Sequence, residues 1–356
     1  MRTLTWSQVY ARRLEASHLV SRSPRTRLLE VVGDVCGVHA QLETGAELAV
    51  SGRVDDVTRD EVRELLRERR TLAKASTIRG TLHLHPAGEL ALWKSLQVVR
   101  SRWREQAWLD WQGLTLAEAE RLRARVLDVL SDGEPRTRAE IGSDVGGRLG
   151  EHLGADSWGH YLSPAADLLC HGPPRGRSVT FVRCDRWIPG WKFPDAEVAL
   201  REICRRYLDA YGPVRRDELE HWLAMPAPAT LFDELEEIDV EGFRTFVLPG
   251  TRFPDGPPRG LRLLWHYDVY VIACHPRDHL IPDEKDRIFL RGAGPSPALL
   301  VDGRVAGVWT RKTRGRRMEI RVEPFRRLTP GRRRELAGEA ARVARTYEAE
   351  AELVVA

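Results

Sequence analysis

Residues 195–249 read DAEVALREICRRYLDAYGPVRRDELEHWLAMPAPATLFDELEEIDVEGFRTFVLP. Asp195 to Tyr211 has the periodicity of a helix, and Gly212 is placed to stop it. Gly212 to Met225 reads as a shorter helix with Pro213 near its start. Pro228 to Ile238 reads as a third helix. Asp239 to Pro249 reads as a hairpin turning at Glu241-Gly242, because a residue–glycine pair suits the two left-handed positions of a tight hairpin turn.

The same order occurs twice upstream. TWSQVYARRL (5–14), PRTRLLEVVGDVCGV (24–38) and TRDEVRELLRERR (58–70) read as helices. In the second of these, Leu28, Leu29, Val32, Val35 and Cys36 face inward. ASTIRGTLHLHP (75–86) then alternates as a strand, and a fresh helix starts at Pro86. Next come LTLAEAERLRARVLDVL (114–130) with Thr115 as cap, TRAEIGSDVG (137–146) with Thr137 as cap, and SWGHYLSPAADLLCHG (157–172), capped by Ser157 or Ser163. RSVTFVRCDRW (177–187) closes that set as a strand of a hairpin. Three helices followed by a hairpin is the winged-helix form of the helix-turn-helix. The expected fold is α+β: three tandem winged-helix domains (1–110, 111–192, 193–256), then a C-terminal β-rich region with a basic β-hairpin (257–356). In that last region LRLLWHYDVYVIAC (261–274) reads as core. Ser296 to Phe325 reads as strands turning at Asp302-Gly303 and Arg314-Gly315, and Arg332 to Ala351 as a closing helix.

With 42% apolar and 30% charged residues, the 356-residue chain has the composition of a soluble multidomain protein. No apolar run is long enough to span a membrane, and MRTLTWSQVYARRLEA lacks the apolar centre of a signal peptide. Cysteines 36, 170, 184, 204 and 274 form no C-x-x-C pair, which suits reduced thiols in a cytoplasm. The net charge of +4 is unevenly spread. Residues 304–345 hold fourteen Lys/Arg against four acids, a local +10, leaving −6 for the rest. That is the footprint of a polyanion-binding segment.

Within the segment, Arg304, Arg311, Lys312, Arg314, Arg316 and Arg317 accompany Trp309 on one apparent hairpin. Strand-borne cations can hold phosphates and an aromatic can stack on a base, so these residues are candidates for DNA binding. Trp309 alone reads better as a core residue. His83 and His85 lie two apart on a strand and so share a face, but no further ligands accompany them; a packed pair is expected, and no metal site. No Walker loop, G-x-G-x-x-G or G-x-S-x-G is present, so neither a nucleotide cofactor nor serine hydrolase chemistry is indicated. His39 and Gln41, in CGVHAQ (36–41), stand where a helical pattern runs out. A histidine there reads as a helix C-cap or as a catalytic group.

CGVHAQLETGAELAVSGRV (36–54), STIRGTLHLHPAGEL (76–90) and LLVDGRVAGVWTRK (299–312) together resemble the AlkZ-like (YcaQ-type) winged-helix DNA glycosylases, in order and over essentially the whole chain. In that family a Gln-x-Gln or Gln-x-Asp pair precedes an Arg-Gly-Thr-Leu-His strand, and a Val-Asp-Gly-Arg hairpin lies near the C-terminus. The resemblance maps the catalytic pair onto His39 and Gln41, and the DNA-binding hairpin onto Leu300 to Trp309 and the residues after it. Histidine stands where the better-known branches have glutamine. The His-x-Gln form is similar to the branch associated with self-protection against DNA-alkylating natural products. The resemblance implies tandem winged helices around a DNA channel. It also implies excision of alkylated bases, including N7-alkylguanine and, in some members, interstrand crosslinks.

The chemistry such a pair must supply is small. Alkylation at N7 makes guanine a cationic leaving group, so a water must be placed on the far face of the sugar and the developing cation stabilised. The expectation is a metal-free, cofactor-free monofunctional enzyme, monomeric, acting on duplex DNA. His39 would serve as general base and Gln41 would orient the water through its amide. The alternative from another class is a winged-helix DNA-binding regulator without catalysis, in which His39 and Gln41 only end a helix.

Overall fold

In the computed structural model, residues 2–156, 159–281, 284–290 and 294–356 are described. The chain divides into two compact units, Met1–Arg63 with Arg201–Ala356, and Glu64–Leu200. Both mix helices with small sheets, so the fold is α+β.

The second unit holds a hairpin, Leu72–Ser76 against Leu82–Pro86, where the sequence reading had one strand. The break falls at Ile78–Gly80, where Arg79 and Gly80 both take positive φ, a reversal that an alternating pattern alone does not announce. Helix Leu116–Val129 starts at Thr115 and helix Arg138–Val145 at Thr137. Each threonine exchanges hydrogen bonds with the glutamate three residues on, forming a capping box. Gly147–Ala155 is a further helix that the sequence reading did not include. His160–Leu168 forms a 3-10 helix rather than an α-helix, with Pro164 inside it removing a backbone donor. Ser163 lies within that 3-10 helix, which shows no side-chain cap, and Ser157, the other proposed cap, lies outside the described residues. Strands Leu169–Arg175, Ser178–Arg183 and Arg136–Thr137 make a three-stranded antiparallel sheet. Leu122, Val126, Ile141, Leu153 and Ala165 form the main core beside it. His83 and His85 are buried; both rings lie within hydrogen-bond distance of the Thr77 hydroxyl, and His85 stacks on Trp93.

In the first unit, helix Trp6–Ala16 is capped by Thr5. Residues 195–249 supply helices Ala196–Tyr211 and Arg216–Leu223 and a hairpin, Glu236–Val240 with Phe243–Val247. Its turn is Glu241-Gly242, both residues at positive φ. The third helix shrinks to a 3-10 turn, Ala229–Glu234, ended by Leu235 in an extended conformation just before the strand begins at Glu236. Arg2–Leu4 joins this hairpin as a parallel strand that was not anticipated.

The C-terminal part of this unit is a five-stranded sheet ordered Leu261–Leu264, Ala298–Val301, Arg304–Arg314, Arg317–Pro324 and Glu350–Val355. The first four strands run antiparallel and the last joins in parallel. Helix Pro330–Arg345 lays Leu336, Ala340, Val343 and Ala344 over Leu263, Trp309, Met318, Ile320 and Val322. This helix is shorter than the sequence suggested. Glu348 turns the chain at positive φ, and the β-branched end Glu350–Val355 pairs as an edge strand.

Arg53 and Asp268 are each 1% exposed at the side chain and join through two hydrogen bonds, of 2.8 and 2.7 Å. The same guanidinium also donates to the carbonyl of Ala49 in helix Glu43–Ser51. Asp268 caps helix Val269–Ala273 through the amide of Tyr270. Removing one partner would leave the other charge buried and unpaired. Arg53→Ala is therefore expected to lower the unfolding free energy by about 3–5 kcal/mol, measured by urea denaturation. A loss below about 1 kcal/mol, the scale of an exposed pair, would contradict this account.

Candidate active site and nucleic-acid interface

Helix Leu28–Asp34 ends before the candidate pair. Cys36 and Gly37 take positive φ, and the Gly37 amide reaches back to the carbonyl of Val32 at 2.8 Å. The backbone therefore closes the helix itself. His39 is not its cap; it stands on a short strand, Val38–His39. In an extended segment alternate residues face opposite ways. Val38 and Ala40 are fully buried, whereas Gln41 is exposed and His39 keeps 7% of its surface.

The backbone N–H of Gln41 points at His39 Nδ1 across 3.4 Å, a long hydrogen bond. Accepting it leaves the proton of the neutral ring on Nε2. The imidazole lies flat on the ring of Tyr267, with centroids 4.7 Å apart and planes 9° from parallel. In the sequence Tyr267 falls inside the apolar run 261–274, where three polar-tipped rings in a row, Trp265-His266-Tyr267, were the available signal.

Tyr267 has φ +60, a left-handed conformation that costs a non-glycine residue roughly 1–2 kcal/mol. Its neighbours over-determine it. His266 Nδ1 donates to the carbonyl of Pro295 at 3.1 Å, and Asp268 is held by Arg53. At Gly45, in helix Glu43–Ser51, a Cβ would come within 3.3 Å of the His266 carbonyl, so the helix packs close against this turn. Burial lowers the His266 pKa from its ordinary value, so at neutral pH this ring adds no positive charge to the site.

The basic residues separate into two places. Arg304 pairs with Val301 at one end of its strand, and Arg314 pairs with Arg317 at the other. Ten residues of strand at about 3.3 Å each put these ends about 33 Å apart. One strand thus serves two hairpins, and the six cations are not a single cluster. The second turn is Gly315-Arg316, one residue later than expected, with Gly315 at φ +57. Glycine at the first central position is what a type II′ turn requires. Lys312, Arg314, Arg316 and Arg317 are exposed at this tip, and none has a carboxylate partner among the described residues. Arg304 Nε instead donates to the carbonyl of His279.

Arg311 lies between two aromatic faces, 4.8 Å from the Trp265 centroid and 4.2 Å from that of Tyr347. It marks where the strand passes Trp265. Leu264 pairs with Ala298, which pairs with Val308, so the sheet end bearing Trp265, His266 and Tyr267 is also the end from which the tip projects. His39, by its stack on Tyr267, sits at that end too.

Trp309 corrects the base-stacking expectation. It is 1% exposed, packs at 4.9 Å from Trp265, and donates its indole N–H to the carbonyl of Leu264 at 2.8 Å. Strand alternation sends it inward, toward helix Pro330–Arg345, and leaves no ring face for DNA.

Against known proteins, residues 32–346 match the model of the family described as DNA glycosylase AlkZ-like. The chain belongs to the AlkZ-like DNA glycosylase family. A curated relative, the interstrand DNA cross-link repair glycosylase of Streptomyces sahachiroi, is 32% identical over 332 residues, covering 86% of this chain and 87% of that protein. The solved structure of Streptomyces sahachiroi DNA glycosylase AlkZ matches with a TM-score of 0.87 at 31% identity, over the whole of both chains. Membership of this family makes the chain a DNA glycosylase, with DNA as its partner. Among the described residues no helix is long and apolar enough to cross a membrane.

Trp309→Phe is expected to keep an aromatic ring but to lose the donor to the Leu264 carbonyl and leave a small void, costing about 1–3 kcal/mol in chemical denaturation. DNA affinity of the folded variant should equal that of the parent in a fluorescence-anisotropy titration. A selective loss of affinity would reinstate the tryptophan as a DNA contact.

Proposed function

We propose that this glycosylase is monofunctional and hydrolyses the N-glycosidic bond of N7-alkylguanine-type nucleotides in duplex DNA, with His39 and Gln41 as its catalytic pair. The supporting observation is a juxtaposition. An ordered imidazole with an exposed carboxamide two residues on sits at the sheet end from which four uncommitted cations project. On this reading the chain is built from three tandem winged helices and a C-terminal region, works as a monomer, and needs no metal or cofactor.

The proposed reaction uses a leaving group that already carries charge. The bond from C1′ to the base nitrogen breaks, and its electron pair neutralises the cationic purine. A water held on the opposite face donates its oxygen lone pair to C1′. With Nδ1 accepting from the Gln41 backbone N–H, His39 holds that water by donating from Nε2. The Gln41 side-chain carbonyl accepts a hydrogen bond from the water, and the one proton the oxygen must lose passes to solvent once the C–O bond has formed. This departs from the general base expected from sequence, because the lone pair at Nδ1 is engaged. No lysine occurs before Lys74, which agrees with hydrolysis rather than attack by an amine. The His-x-Gln pairing further suggests bulky adducts left by DNA-alkylating natural products, with self-resistance as the biological setting. The uncommitted cations at the tip would grip phosphates on either side of the lesion.

In single-turnover assays on duplexes with one defined N7-alkylguanine, His39→Ala and Gln41→Ala should each slow base release at least about 100-fold. DNA affinity should change less than about threefold, within the ~0.6 kcal/mol reach of a lost minor contact. Alkaline cleavage of the abasic product reads the rate. Release at the parental rate in both variants would reject the assignment, and binding without release by the parent on every adduct would leave a mere DNA-binding protein. A cross-linked duplex of the kind named for the Streptomyces relative belongs in the same panel.

Converting Lys312, Arg314, Arg316 and Arg317 to serine one at a time should each flatten the slope of log affinity against log salt by about 0.9, while Arg304→Ser leaves it unchanged. Equal effects at both ends of the strand would oppose the separation of the two groups.

A further inference from the structure

We propose that Tyr267 is a positioning residue for His39, and that Gly294 exists as glycine to keep it one. The inference rests on the reading of His39 as catalytic and adds the device that aims its ring. An imidazole presents both nitrogens in its own plane, so the plane decides where Nε2 points. The short strand Val38–His39 fixes the backbone of His39 but leaves its side-chain torsions to be set by packing. The flat face of Tyr267, 4.7 Å away and 9° from parallel, selects one plane.

Tyr267 can do this only if it is itself immobile. Its backbone is in the left-handed region and is flanked on both sides by fixed residues, His266 bonded to Pro295 and Asp268 bonded to Arg53. Its ring then meets the backbone of Gly294. A Cβ built there would stand 2.2 Å from the phenol oxygen, 2.4 Å from Cζ and 2.7 Å from Cε1. Those atoms form the far end of a ring with no flexible tail to swing aside. Any side chain at 294 must displace the tyrosine and, through it, the imidazole. Gly294 also has φ +71, so the position excludes larger residues twice over.

This arrangement makes a test that separates aiming from binding. Tyr267→Phe keeps the flat ring and should release base within about threefold of the parent. Tyr267→Leu keeps an apolar side chain but loses the flat face, and should slow release about 10- to 100-fold, the scale for a misplacement near 1 Å, with DNA affinity unchanged. Gly294→Ala should resemble Tyr267→Leu. Thermal melts identify variants that fail to fold, and Tyr267→Leu carries the test if Gly294→Ala is one of them. The decisive measurement is a cycle with His39→Ala, its residual release followed over long incubations. Tyr267→Leu should add nothing to His39→Ala if it acts through the imidazole. Multiplied losses in the double variant, or weakened DNA binding by Tyr267→Leu, would place Tyr267 on the DNA and overturn the proposal. So would parental release by Tyr267→Leu while His39→Ala is inactive. Parental release by His39→Ala would instead remove the reading beneath it.

Discussion

The buried pair of Arg53 and Asp268 is the constraint on which the candidate site depends. An ion pair with both side chains 1% exposed gains little net stability over apolar packing. Its value lies in geometry. Two parallel hydrogen bonds fix a carboxylate in a plane, and that carboxylate begins a helix immediately after Tyr267. The guanidinium comes from the second residue beyond helix Glu43–Ser51, whose first turn follows the His39–Gln41 segment. A residue distant in sequence thereby sets the phase between two segments whose side chains must meet face to face.

The chemistry proposed for the pair asks for little power and much aim. A cationic base departs without an acid, so the protein has only to orient one water and avoid opposing the charge already present. Neutral groups suit that task. Burial keeps His266 neutral, and no lysine lies in the first 73 residues. Positive charge is concentrated instead on the tip, where phosphates rather than the lesion would meet it.

Much of the local structure was legible because it is written in local chemistry. Thr115 and Thr137 announce helix starts through their own hydroxyls, and Glu241-Gly242 and Asp302-Gly303 announce turns through their left-handed tolerance. What was not legible depends on partners far along the chain. Arg2–Leu4 and Glu350–Val355 are strands only because existing sheets accept them. A hairpin broken at Arg79 looks like one alternating strand until its reversal is seen. At the site, ordered motifs pointed to His39 and Gln41, but Tyr267 lies 228 positions beyond His39, and no spacing rule joins them. The cations were read as one group because sequence proximity conceals that a strand has two ends.

Arg311 shows that the arginines of this chain are not interchangeable with one another. At the exposed tip the proposed grip on phosphates asks only for charge, and an ammonium would supply it as well as a guanidinium. Between Trp265 and Tyr347 the requirement is different: a flat, weakly hydrated cation that offers each of its faces to an aromatic ring. A lysine there could point its charge at one ring and would have to shed a tightly held water shell to do it. Within a single strand, therefore, arginine at 311 is dictated by shape, whereas arginine three residues later is one acceptable choice of charge.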